Sequence, residues 1–67
     1  MHYTIEYEQE MDGRWMAEVM ELPGVMAYGR SEEEAIARVE ALALRVVAEQ
    51  LENGETQRTF SISFAAA

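Results

Sequence analysis

The side chains of this chain that could do chemistry are mostly carboxylates. Glu6 and Glu8, Glu18 and Glu21, and the run Glu32-Glu33-Glu34 each place acids at short spacing. Paired carboxyls serve general acid–base catalysis when a cleft fixes their separation and burial drives their pKa values apart. Here Glu6, Glu8 and Glu18 occupy the polar positions of alternating segments, which points to a flat, solvated face. His2 has no serine or cysteine at a recognisable spacing and reads as an exposed strand-end residue. No nucleophile–base–orienter set can be assembled, so the chain is expected not to be an enzyme. Gly13, Gly24, Gly29 and Gly54 each fall at a turn or cap, and none opens a phosphate-binding loop. No cofactor or metal site is expected: there is no cysteine, and the lone histidine adjoins Met1.

Charge narrows the partners. Thirteen acids face five basic residues, all arginine, for a net charge of −8. Residues 1–34 hold nine of those acids against Arg14 and Arg30, so the negative field belongs to the front half. A phosphate backbone requires the opposite sign, and direct nucleic-acid binding is not expected. Tyr3, Tyr7 and Trp15 could stack bases, but the acidic surroundings oppose that use, and Trp15 is expected in the core. An acidic surface either keeps a chain soluble or raises its encounter rate with a basic partner. No apolar run approaches the roughly 20 residues of a membrane span, and no signal peptide is evident, so a cytoplasmic location is expected.

The elements that must position these residues are legible from periodicity. Residues 2–9 alternate, with Tyr3, Ile5 and Tyr7 opposed to Thr4, Glu6 and Glu8. Asp12-Gly13 supplies a turn. Residues 14–20 alternate again, with Trp15, Ala17 and Val19 opposed to Met16, Glu18 and Met20. Leu22-Pro23-Gly24 ends that strand, and residues 25–28 form a short third one. Ser31 with Glu34 forms a capping box, and Glu32, Glu33 and Glu34 suit the positive end of a helix dipole. The helix is expected over residues 32–52, stopping at Asn53-Gly54. Its apolar face carries Ala35, Ile36, Val39, Leu42, Ala43, Val46 and Val47, opposite Arg38, Arg45, Glu49 and Glu52. Residues 57–64 read as a fourth strand with Phe60, Ile62 and Phe64 inward and Thr59, Ser61 and Ser63 outward. Ala65-Ala66-Ala67 reads as a frayed end.

This order gives a single α+β domain, β-β-β-α-β, with sheet order 3-2-1-4 and one helix packed on one face. A right-handed crossover sets the fourth strand parallel to the first. The other face is left open and carries Thr4, Glu6, Glu8, Met16, Glu18, Met20, Ser61 and Ser63. Three features invite a binding role. Met16 and Met20 lie among glutamates on the open face, either as scattered surface methionines or as an adaptable interface patch. Leu44 and Leu51 widen the helix stripe, either because the sheet edge reaches them or because a second copy does. Glu40 falls near the apolar face, either with its carboxylate in water or paired with an arginine, Arg14 or Arg58 internally or one across a dimer. A domain this small buries only about 60% of its unfolded surface, and self-association is the remedy open to a chain without disulfides. A homodimer is therefore expected, with Leu44, Leu51, Ser61 and Ser63 as candidate contacts.

The strand Trp15-Met16-Ala17-Glu18-Val19, the corner Glu21-Leu22-Pro23-Gly24 and the helix start Ser31-Glu32-Glu33-Glu34-Ala35-Ile36 together resemble the HicB family of antitoxins. The resemblance covers most of the chain. Met20 and Val25 stand where the family often shows proline and cysteine. The family's N-terminal domain is a partial ribonuclease-H-like fold, and the resemblance implies a protein that silences a small, basic, mRNA-cleaving toxin of HicA type. Many members add a ribbon-helix-helix or helix-turn-helix domain; none follows here, so operator binding is not expected of these residues. The function expected is stoichiometric occlusion of such a toxin, with Met16, Glu18, Met20 and Glu21 at the contact. The alternative is a stand-alone, self-associating module of the same fold.

Overall fold

A computed structural model of the chain describes residues 1–58 and 61–67. Its elements follow one another as β1 (His2–Gln9), β2 (Trp15–Val19), β3 (Met26–Gly29), α1 (Glu32–Glu52) and β4 (Ser63–Ala66). The four strands make one sheet in the order β3-β2-β1-β4. β1 pairs antiparallel with β2 and parallel with β4, and β2 pairs antiparallel with β3. This is the α+β fold expected from the sequence.

Local chemistry explains each reversal. At the hairpin, Gly13 takes φ 93° and donates to the Glu10 carbonyl, while the Glu10 amide donates to Arg14 at 2.7 Å. A β-branched or bulky residue would be strained at that φ. At the corner, the Val25 amide closes the Leu22-Pro23-Gly24 turn on the Leu22 carbonyl at 3.0 Å. The Ser31 hydroxyl caps α1 by accepting from the Glu34 amide at 3.1 Å. The Glu34 carboxylate reaches back one residue further than a capping box usually does, accepting from the Arg30 amide at 2.9 Å. The far end closes with the Asn53 amide on Glu49 and the Glu55 amide on Gln50.

α1 lies on one face of the sheet over a core of Tyr3, Ile5, Ala17, Val19, Val25, Ala35, Val39, Ala43 and Val47. Trp15 is half-buried against this core and tilted onto Tyr7, with ring centroids 6.4 Å apart. The pleat is therefore as the alternation requires. Small residues bring helix and sheet together. A Cβ built on Gly29 would stand 2.5 Å from the Ala35 backbone nitrogen, so no side chain fits there.

The last strand differs from the expectation. It runs over Ser63–Ala66 rather than residues 57–64, because His2 opposes Ser63 in a parallel ladder. Ser61 and Ile62 precede the residue paired with His2, and Met1 is the part of the N-terminal segment left to meet them. The Met1 amine donates to the Ser61 carbonyl at 2.8 Å, and the Ser63 amide donates to Met1 at 2.9 Å. Ser61 thus precedes the strand. Ala65 and Ala66 are paired with Thr4 and Ile5, and the Ala67 amide bonds Ile5 at 2.8 Å, so the alanine tail is no frayed end. Phe64 does face the core, stacked on Tyr3 at 5.7 Å. The expected roles of Thr59 and Phe60 lie outside the described residues.

Gly29→Ala should lower the thermal midpoint severely or prevent folding, since the obstruction is backbone; Ser31→Ala should cost only about 1 kcal/mol in chemical denaturation. Acid should also weaken the fold through the capping carboxylates. The amide bond from Arg30 holds the Glu34 pKa below its usual range, and the Thr4 amide does the same for Glu21. Stability from such groups is complete above the unfolded value near pH ~4.3 and is lost as pH falls through the lowered folded value. Glu21→Gln, which offers only a neutral acceptor, should be less stable than wild type at neutral pH. The difference between the two midpoints should shrink on acidification.

Candidate partner-binding face

The sheet face away from α1 is built by register. Tyr28 on β3, Met16 on β2 and Glu8 on β1 form one row across the strands; Met26, Glu18 and Glu6 form the next. Thr4 with Ala65, and His2 with Ser63, continue the face toward β4. The ladder fixes these positions to within hydrogen-bond tolerance, so the face is a rigid platform.

Its chemistry is mixed. Met20, Met26 and Tyr28 are exposed large apolar side chains, while Met16 and Glu18 are half-buried between neighbours. Glu6 and Glu18 stand directly opposite one another, a like-charge pair that costs stability. Among the described residues neither is held by an ion pair or hydrogen bond. The arginine nearest this end of the sheet is already engaged: Arg14 Nε donates to Asp12 at 2.8 Å, and its guanidinium lies 4.6 Å from the centre of the Tyr28 ring. Among the described residues, Glu6 and Glu18 thus have no cationic partner, and the one arginine that reaches the face, over Tyr28, is paired with Asp12.

A shallow depression of about 130 Å³ is lined by Glu6, Tyr7, Glu8, Met16 and Glu18. Small-molecule sites run roughly 300–1,000 Å³ and are mostly apolar, so this one suits a protruding side chain better than a metabolite. Among the described residues, no group of three or more His, Cys, Asp or Glu side chains could hold a metal ion. No helix of the described residues is long and apolar enough to cross a membrane.

The structure brings Met16, Glu18 and Met20 together on this face. Glu21 sits at its margin and serves the fold locally. Its Oε1 accepts the Thr4 amide at 2.7 Å, taking over a ladder donor where β2 turns away. Met26 and Tyr28 belong to the face and were missed by sequence reasoning, which assigned no sides to the third strand. Their signal was the alternation of Met26 and Tyr28 with the small Ala27 and Gly29. The self-association candidates separate. Leu44 and Leu51 are exposed on α1, so the sheet edge does not reach them. Ser63 lies on the opposite layer, its Oγ 2.9 Å from His2 Nδ1. Glu40 is half-buried, and Arg14 is committed to Asp12 instead of to it.

Compared with protein-family models, with curated proteins and with solved structures, the chain matches none of them.

Glu18→Gln should raise the thermal midpoint slightly at low ionic strength by relieving the repulsion with Glu6. The gain should fade as salt is added, because exposed charges are screened over about 10 Å at 0.1 M. An unchanged midpoint at low salt would show that the two carboxylates do not repel.

Proposed function

We propose that the protein is an antitoxin-like binding module of the HicB kind, which neutralises a small, basic, mRNA-cleaving toxin in the cytoplasm by covering its RNA-binding surface. The observation that carries this reading is the open sheet face, where Glu6 and Glu18, without an ion pair among the described residues, stand beside exposed methionines and a tyrosine. A surface that must hold RNA phosphates is basic, and an acidic platform attracts it over distance. Methionine then packs against whatever irregular relief the partner presents. The β-β-β-α-β order and the 3-2-1-4 sheet support the same reading, since they agree with the fold that the HicB resemblance implies. The contact would centre on Met16, Glu18 and Met20, with Met26 and Tyr28 beside them and Glu21 at the rim. Occlusion needs no catalytic group on this chain. The exposed Leu44 and Leu51 favour a second reading, a stand-alone module that only self-associates.

The test is co-expression with the small basic protein encoded next to the gene. The two should copurify, and RNA cleavage should stop at equimolar ratio. Met16→Ala or Met20→Ala should weaken the complex about tenfold, or ~1.4 kcal/mol. Glu18→Arg should act chiefly on the association rate, with a loss that salt reduces. Full cleavage at excess of this protein would refute the antitoxin reading.

A further inference from the structure

The face of α1 that points away from the sheet carries a second apolar pattern. Ala37, Ala41, Leu44, Ala48 and Leu51 recur at alternating spacings of four and three, and all are exposed. At 100° per residue their line lies roughly 150° around the helix from the buried Ala35, Val39, Ala43 and Val47. This spacing matches the a/d pattern of a two-stranded coiled coil, with alanine at a and leucine at d in its C-terminal half.

The charges beside the seam name its occupant. Glu33 and Glu40 run along one side, at g positions, and Arg38 and Arg45 along the other, at e positions. In a parallel pair each g side chain faces the e side chain five residues on in the partner helix. Glu40 of one copy then meets Arg45 of the other, and the two-fold axis repeats the pair. Within the chain neither Glu40 nor Arg45 makes an ion pair or hydrogen bond among the described residues. Arg38 already holds Glu34 at 3.5 Å and the Tyr28 carbonyl at 3.0 Å, so Glu40–Arg45 is the pair that matters. An antiparallel pairing that set Leu44 against Ala41 would instead place Arg45 beside Arg38 and leave Glu40 opposite Val47.

We infer that the outer face of α1 is a homodimer seam, occupied by the same face of a second copy in parallel. Small residues at a let the two axes approach near the 8 Å end of the usual 8–10 Å range. The dimer is a four-layer sandwich, sheet–helix–helix–sheet, with both acidic sheet faces outward. It stands apart from the toxin reading, because it uses the opposite side of the molecule.

The chain has no cysteine, so introduced thiols report directly on the seam. Sedimentation equilibrium of the wild type should find a dimer in the micromolar to millimolar range. Leu44→Glu with Leu51→Glu should give a monomer with unchanged far-ultraviolet circular dichroism, since both side chains are exposed. Glu40→Arg should raise the dimer dissociation constant roughly tenfold, and adding Arg45→Glu should restore it. Mild oxidation of Ala48→Cys should link the copies at that position. A monomeric wild type, or a dimer indifferent to the two glutamates, would overturn the seam. Cross-linking of Ala41→Cys to Ala48→Cys in a mixture, without self-linking of either, would overturn the parallel orientation.

Discussion

The contact between the backbone of Gly29 and that of Ala35 governs how α1 lies on the sheet. β3 ends at Gly29, the helix begins three residues later, and the two must touch without an intervening side chain. Ala17, Ala35 and Ala43 extend the same closeness along the helix, each fully buried. A core built on such small residues has little volume to lose. Among the described residues, the largest fully buried side chains are Ile5, Val39 and Val47. Each of them therefore counts for more than it would in a larger domain, and the helix position tolerates no slack.

That seating explains what was legible in the sequence. The hairpin, the Leu-Pro-Gly corner and both helix ends are local events, written in residues a few positions apart. The burial of Trp15, Ala17 and Val19 followed from alternation alone, and with it the exposure of Met20 and the placing of Met16 and Glu18 on the open face. The rest depended on distant contacts. Where β4 begins is set by the start of β1, sixty-one residues away, and no pattern within residues 57–64 states it. Helical periodicity gave angles for Leu44 and Leu51 but not the breadth of the sheet beneath them. The bond from the Thr4 amide to Glu21 joins segments seventeen residues apart, so a margin residue could be read as part of the contact.

The open face shows a chain carrying a cost that its fold does not require. Glu6 opposite Glu18 weakens the central hairpin, and a neutral strand-forming residue such as threonine at either position would serve the ladder better. Arg14 reaches the edge of this face over the Tyr28 ring, but its charge is paired with Asp12. The pairing register holds the two carboxylates facing one another, so the repulsion is built into the ladder.

β4 is the edge strand that joins the sheet from beyond the helix. It is four residues long, two of them alanine, and only Phe64 gives it substantial anchorage in the core. Joining it to β1 closes a loop spanning nearly the entire chain, a cost in entropy that the short ladder and Phe64 must offset. When this short strand lifts away, the flank of β1 from His2 to Ile5 becomes a vacant template for parallel pairing.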